Sequence, residues 1–321
     1  MSKAHFPAIA LCLFGVSVQA EVPTVVTDVP PVHSLVAQVM GDLGDPTLLL
    51  DQGADLHSFQ LRPSQASALA GADIIFWIGP ELTPWLTRAL SIVPDAASVA
   101  LIDTIGTIHR NFEEPGAHDH HTTPSQTDLE TDQAASDSGI SDGHREHEAL
   151  DPHAWLDPDN AIIWLGRIAD ELSALDPGNS VSYRANASLG QAAITALDAD
   201  LQLVLEKAKD VPIVVAHDAL GYFAGHFGLK IAATISEGDA ADPGAARLSN
   251  LRHMLETGAV ACIFPEVSGD LPRVATLAEK TDASIGATLD PEGRALMPGP
   301  SLYATLLTNL ANSISDCVEA R

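Results

Sequence analysis

Positive charge is scarce in this chain of 321 residues: 16 Lys and Arg stand against 43 Asp and Glu, a formal net charge of −27. That balance excludes nucleic acid and anionic membrane as electrostatic partners, and it concentrates cations around the protein instead. Cysteine is nearly absent, with 3 residues and no C-x-x-C spacing, which argues against a thiolate-based zinc site. Beyond the leader, no segment approaches the roughly 18 apolar residues that a membrane-spanning helix needs. Aromatic residues make up only 5% of the chain. Phe76, Trp77 and Trp85 fall inside strand and helix patterns, as packing residues do, so a sugar-binding platform is not expected.

What is present begins with an export signal. Lys3 supplies a positive start, Ala8 to Val18 a short apolar run, and Val18-Gln19-Ala20 a small-residue cleavage site. The mature chain is expected to begin near Glu21, the alternative being an uncleaved anchor. Leu11 before Cys12 does not suit lipid attachment. Removal of the leader leaves Cys262 and Cys317, and a lone pair in an oxidising compartment reads as one disulfide joining the last helix to a core strand.

Along the rest of the chain, strand patterns alternate with helical ones. "TVVTDV", "TLLL", "ADIIFWIG" and "SVALID" read as strands, with helices at Ser34–Met40, "RPSQASALAGA" and "ELTPWLTRAL" between them. "DPDNAIIWLGRIADELSALDPG" is a further helix. From Ser180 to Ala208 there is no proline and no glycine beyond Gly190, so one unusually long helix is expected. The alternation then resumes through "VPIVVAH", "LKIAAT", "VACIFPEV" and "ASIGAT" to a final helix from Ser301 to Cys317. The fold class is therefore α/β: two parallel-sheet lobes, 21–178 and 209–321, joined by a rigid helix over 179–208.

Three histidines stand where strands give way to loops or helices begin: His57 in "DLHSFQLRPS", His153 in "LDPHAWLDP" and His217 in "VVAHDALGYF". In open parallel sheets such positions face the ligand crevice, and imidazole is a preferred zinc ligand. Asp290 in "ATLDPEG" follows another strand and is the natural fourth, oxygen ligand; equally, it is an acid at a turn before Pro291. His226 and His253 lie in helical patterns and read as surface or partly buried residues. Arg62 is placed to bond a carboxylate or backbone near the His57 loop.

The runs "GADLHSFQLRPSQASALAGADIIFWIGPELTPWL", "DPHAWLDP", "AHDALGYFAGHFGL", "CIFPEV" and "ATLDPEG" resemble the zinc-specific solute-binding proteins of bacterial ABC importers, the ZnuA type of the cluster A-I metal-binding family. The resemblance covers essentially the whole mature chain in order. It implies two lobes bridged by the long helix and Zn2+ held between them by His57, His153 and His217. It further implies a periplasmic location, delivery to a membrane permease, and no enzymatic activity. A monomer is expected, with a periplasmic zinc chaperone as a further partner. Manganese-type relatives usually carry a glutamate where this chain has His217, so three imidazoles favour zinc. Some zinc members have a glutamate before the first histidine; here it is Leu56, which leaves Asp290, Glu266, a histidine of the polar segment or water for the fourth position.

Between Glu113 and Glu148 the chain is rich in Asp, Ser, Thr and His and has few large apolar residues. Such a segment cannot repay its ordering entropy and is expected to remain mobile. His118, His120, His121, His144 and His147 are candidate auxiliary ligands, similar to the histidine-rich loop of zinc members. "HREHE" within it matches no metalloprotease signature. Two other functions remain in contention: a zinc buffer or metallochaperone without a transporter, and an exported zinc hydrolase using Asp218 or Glu266 as base.

Overall fold

The computed structural model describes residues 22–54, 56, 59–91, 97–112, 150–236, 243–267, 269 and 271–321. The leader, His57 and the histidine-rich segment lie outside the described residues. Two four-stranded parallel sheets organise the chain. The first contains β1 (Val25–Thr27), β2 (Thr47–Leu48), β3 (Ile74–Trp77) and β4 (Ala97–Ala100) in the order β2-β1-β3-β4. The second repeats that order with β5 (Pro212–Val215), β6 (Lys230–Thr234), β7 (Cys262–Ile263) and β8 (Ser284–Ile285), as β6-β5-β7-β8. Each sheet therefore reverses its winding once, between β1 and β3 and between β5 and β7, and a ligand crevice is expected beyond the strand ends there.

The period of two along each strand sorts side chains between different cores. Val25, Ile74, Phe76, Ile213 and Val215 belong to one large cluster, whereas Val26, Ile75 and Trp77 enter a second and Val214 a third. The large cluster contains residues of both sheets, so the lobes share one apolar core. Helices α1 (Pro30–Met40), α4 (Pro158–Leu175), α5 (Ser180–Val204) and α9 (Leu302–Glu319) fill it, with Leu35, Trp164, Tyr183, Leu201 and Tyr303 all buried. On the outer faces, Leu69 of α2 (Pro63–Ala70) and Leu86 of α3 (Pro84–Leu90) cover the first sheet. Leu251 and Leu255 of α7 (Ala245–Glu256) and Val274 of α8 (Leu271–Ala278) cover the second. Phe76 and Trp77 are buried and Trp85 stacks on Phe59 with centroids 4.8 Å apart, the packing role expected of them.

Helix α5 spans 25 residues, about 38 Å at 1.5 Å per residue. Its polar side chains tie it to neighbours: Asn186 donates to Val39 O at 3.1 Å and Gln191 to Ile162 O at 2.9 Å. Cys262 of β7 and Cys317 of α9 form the expected disulfide across 55 residues, a cross-link worth about 4 kcal/mol in the chain-entropy account. Among the described residues, no helix is long and apolar enough to cross a membrane.

One ionic junction fastens the second lobe to the rest. His226, on α6 (Gly221–Phe227), bonds Asp157 at the N-cap of α4 at 3.1 Å through Nδ1 and Asp198 of α5 at 2.8 Å through Nε2. With a carboxylate on each nitrogen the ring is held as imidazolium, and its pKa is pushed up to about 9, chiefly by the bond to Asp157. A histidine raised in the folded state stabilises fully below its unfolded value near 6.5, and that contribution disappears as pH rises through about 9. We expect His226→Gln to lower the unfolding free energy in urea by up to about 3 kcal/mol at pH 6, and the two proteins to converge by pH 10. Equal deficits at both pH values would assign the loss to packing instead of charge.

Candidate metal centre

His217, Glu266 and Asp290 follow strands of the second sheet. β5 stops at Val215 and His217 follows two residues later, while β7 stops at Ile263 and Glu266 follows three later. Those strands flank the winding reversal of the second sheet. Pairing continues past the strands through the bridge between Glu266 and Leu289, which carries Asp290 alongside. His153 arrives from the first lobe, at the N-cap of a 3-10 turn, Ala154–Leu156, that leads into α4. The structure thus brings His153 and His217 together, with ring centroids 5.5 Å apart and planes at 63°. Two imidazoles sharing a tetrahedral zinc at the usual 2.0–2.1 Å Zn–N distance would place their centroids about 5.2 Å apart. His153 is fully buried and His217 is 8% exposed.

Both rings are oriented by carboxylates. Asp151 Oδ1 accepts from the His153 backbone N–H at 2.9 Å and lies 2.8 Å from Nδ1, so one oxygen fixes the main chain and the ring together. Glu266 Oε2 lies 2.6 Å from His217 Nδ1. An ionised carboxylate only accepts, so Nδ1 carries the proton in each ring and Nε2 is the nitrogen that a metal would take. Trp155 packs on His153 with centroids 5.1 Å apart and donates its indole N–H to Pro291 O at 2.9 Å, next to Asp290. Sequence reasoning missed the orienting role of Asp151; its signal was the "DPH" spacing, which sets an acid two residues before the histidine.

Asp290 has a turn role. Its two oxygens accept the backbone N–H of Arg294 at 2.9 Å and of Ala295 at 2.8 Å, and burial raises its pKa above the ordinary carboxylate value against those bonds. The turn it organises grips the other lobe. Gly53 N–H donates to Arg294 O at 3.0 Å, and Gln52 donates to the carbonyls of Ala295 and Leu296 at 3.2 Å each. Asp290 thereby steadies the loop that runs toward His57. Arg62 pairs with Asp51 on that loop, the carboxylate partner expected of it. Among the described residues Glu266 Oε1 is buried without a hydrogen bond, which makes Glu266 the competing oxygen donor.

Asn111 and Leu150 form an antiparallel bridge, and Phe112 lies against His153 at 6.4 Å between centroids. The described residues that flank the histidine-rich segment therefore pair with one another close to His153. His253 is exposed and His226 partly buried, as their helical settings suggested.

Two parallel α/β lobes sharing a core, with inward histidines held at the lobe junction, define a two-lobed metal-binding protein of the solute-binding class. The family model described as "Zinc-uptake complex component A periplasmic", ZnuA, matches residues 25–317, and the chain belongs to that family. It is 43% identical to the high-affinity zinc uptake system protein ZnuA of Paracoccus denitrificans (strain Pd 1222), over 98% of this chain and 97% of the relative. It is 35% identical to the protein of the same name from Brucella abortus (strain 2308), over 95% and 94%. The fold matches that of the periplasmic zinc-binding protein TroA from Treponema pallidum with a TM-score of 0.71, at 19% identity, over 92% of this chain and 99% of that one.

Because Asp151 sets both the tautomer and the aim of His153, Asp151→Ala should weaken zinc binding about 10–100-fold while the far-ultraviolet circular dichroism stays that of the parent. Asp151→Asn, which keeps an acceptor, should lose less. Unaltered affinity in both variants would leave Asp151 a purely structural residue.

Proposed function

We propose that this chain captures Zn2+ in the periplasm and hands it to the permease of an ABC importer. The observation that carries this reading is the buried pair His153 and His217, one from each lobe, at the spacing that a shared tetrahedral zinc requires. In this reading His57 supplies the third imidazole and Asp290 the oxygen ligand. This reading takes the mature chain to begin after cleavage near Ala20 and to divide into 21–178, 179–208 and 209–321, a division that the two sheets and the helix between them support. The core shared by the lobes and the rigid span of α5 support a small closure, so zinc is released by loosening of the loops that carry the ligands. In the same reading the chain acts as a monomer on its membrane partner and performs no catalysis of its own, with a periplasmic chaperone as a further source of metal.

The histidine-rich segment, anchored at Asn111 and Leu150 beside the centre, is proposed to gather zinc through His118, His120, His121, His144 and His147. A buffer with no transporter is the second reading, and the same segment would then be its principal chelator.

Calorimetric zinc titration with a competing chelator separates these readings. One tight site is expected in the parent and in a chain lacking Ala117 to His147. Its affinity should fall by about two orders of magnitude or more in each of His57→Ala, His153→Ala and His217→Ala. A comparable loss in Asp290→Ala but not in Glu266→Gln would fix the oxygen ligand as Asp290; the reverse result would assign Glu266. Tight binding that disappears with the segment and ignores the three histidines would establish the buffer.

A further inference from the structure

The junction of His226 with Asp157, Asp159 and Asp198 has the parts of a metal site. His226 Nδ1, a carboxylate oxygen of Asp157 and one of Asp159 all lie within 4.8 Å of one another. Nδ1 is 3.1 Å from Asp157 Oδ1 and 4.0 Å from Asp159 Oδ2. Donors around a four-coordinate zinc sit about 3.3 Å apart at ordinary bond lengths, a spacing these distances bracket. The second ring nitrogen is not idle: Nε2 donates to Asp198 Oδ1 at 2.8 Å. A carboxylate behind the distal nitrogen is the arrangement that orients metal-ligating imidazoles and raises their basicity. It is also the arrangement found at His153 with Asp151 and at His217 with Glu266.

Access and charge agree with this. Asp157 and His226 are nearly buried, at 7% and 12% side-chain exposure, while Asp159 is 57% exposed and leaves the group open on one side. Three carboxylates face one imidazole. The other titratable groups around it are Tyr303 of α9, which is buried and raised partly by these same three acids, and Tyr222 of α6, raised to about 12 mainly by burial. Arg110 packs against Gly221 and Gly225 of α6 and is the nearby opposing charge.

We propose that His226 Nδ1, Asp157 and Asp159 form a second divalent-metal site, oriented by Asp198 and distinct from the interlobe centre. One nitrogen and two carboxylate oxygens, with water completing the shell, suit zinc and its first-row neighbours and leave the ion exchangeable. The donors come from α4 and α6, with α5 behind them, so an ion here replaces the proton on Nδ1 and joins the second lobe to the first by coordination. Helix α6 begins four residues after His217, which places the bound ion on the element that follows a transport ligand.

The test is anomalous diffraction at the zinc edge from crystals of the full chain soaked in millimolar zinc at pH 8.5. It is paired with equilibrium dialysis of parent, Asp159→Asn and His226→Gln. Zinc density bonded to His226 Nδ1 and Asp157 is expected in the parent, with one equivalent fewer bound, or at least tenfold weaker binding of that equivalent, in each variant. Asp159 is exposed, so its substitution tests the site without endangering the fold. Density at His153 and His217 should persist in both variants. The site is overturned if no zinc density lies at Nδ1, or if Asp159→Asn binds the same number of equivalents as the parent with the same affinity. Loss of density at His153 and His217 alone would count against the transport reading and leave this one standing.

Discussion

The metal centre depends on two hydrogen bonds from ring nitrogens to carboxylates, His153 to Asp151 and His217 to Glu266. A histidine can ligate through either nitrogen, and an unconstrained ring samples many directions. Consuming Nδ1 on both rings removes that freedom, so the tautomer and the ring plane are decided, and Nε2 is the atom each ring would offer to an ion. The same economy recurs in the backbone. Asp151 also accepts the His153 main-chain N–H, and Asp290 holds the turn that grips Gln52 and Gly53 of the opposite lobe.

Those contacts need lobes that keep their relation to one another. A single apolar cluster runs from Val25 and Phe76 through Leu201 and Tyr303 to Val215 and Phe264. Opening such a core would expose side chains worth roughly 1.5–3 kcal/mol each, so large rotations of one lobe against the other are disfavoured. Tyr303 adds a polar tie, donating its hydroxyl to Trp155 O at 2.8 Å two residues beyond His153. Movement is thereby left to the loops at the crevice, where the proposed exchange of an ion would take place.

The fold was legible because its signals are local. Pro63 and Gly71 bound α2, and Gly228 closes α6 in the left-handed region at φ 70°, where glycine carries no penalty. Strand periodicity placed Ile74 and Phe76 on one face and Ile75 and Trp77 on the other. The strands proved shorter than the apolar runs suggested: "VACIFPEV" pairs regularly only at Cys262 and Ile263, because Pro265 has no N–H to continue the ladder, and pairing resumes at the bridge from Glu266 to Leu289. His217 could be found from its position after a strand, and His153 from its place at the start of a helical turn. Their orienting partners could not be, since Glu266 meets His217 across 49 residues through sheet pairing that no local pattern encodes. His226 read as an ordinary helical histidine for the same reason: its partners lie on two other helices, 69 and 28 residues earlier in the chain.

The short antiparallel bridge between Asn111 and Leu150 has a consequence for how such a protein can vary. A span whose ends are already clasped presents its length to the lobes as a nearly free parameter, because doubling a closed loop costs only about 0.6 kcal/mol. Histidines can be gained or lost between those two residues, and the span lengthened or trimmed, with no residue of either sheet having to change. The clasp thus uncouples the make-up of that span from the mechanics of the two lobes.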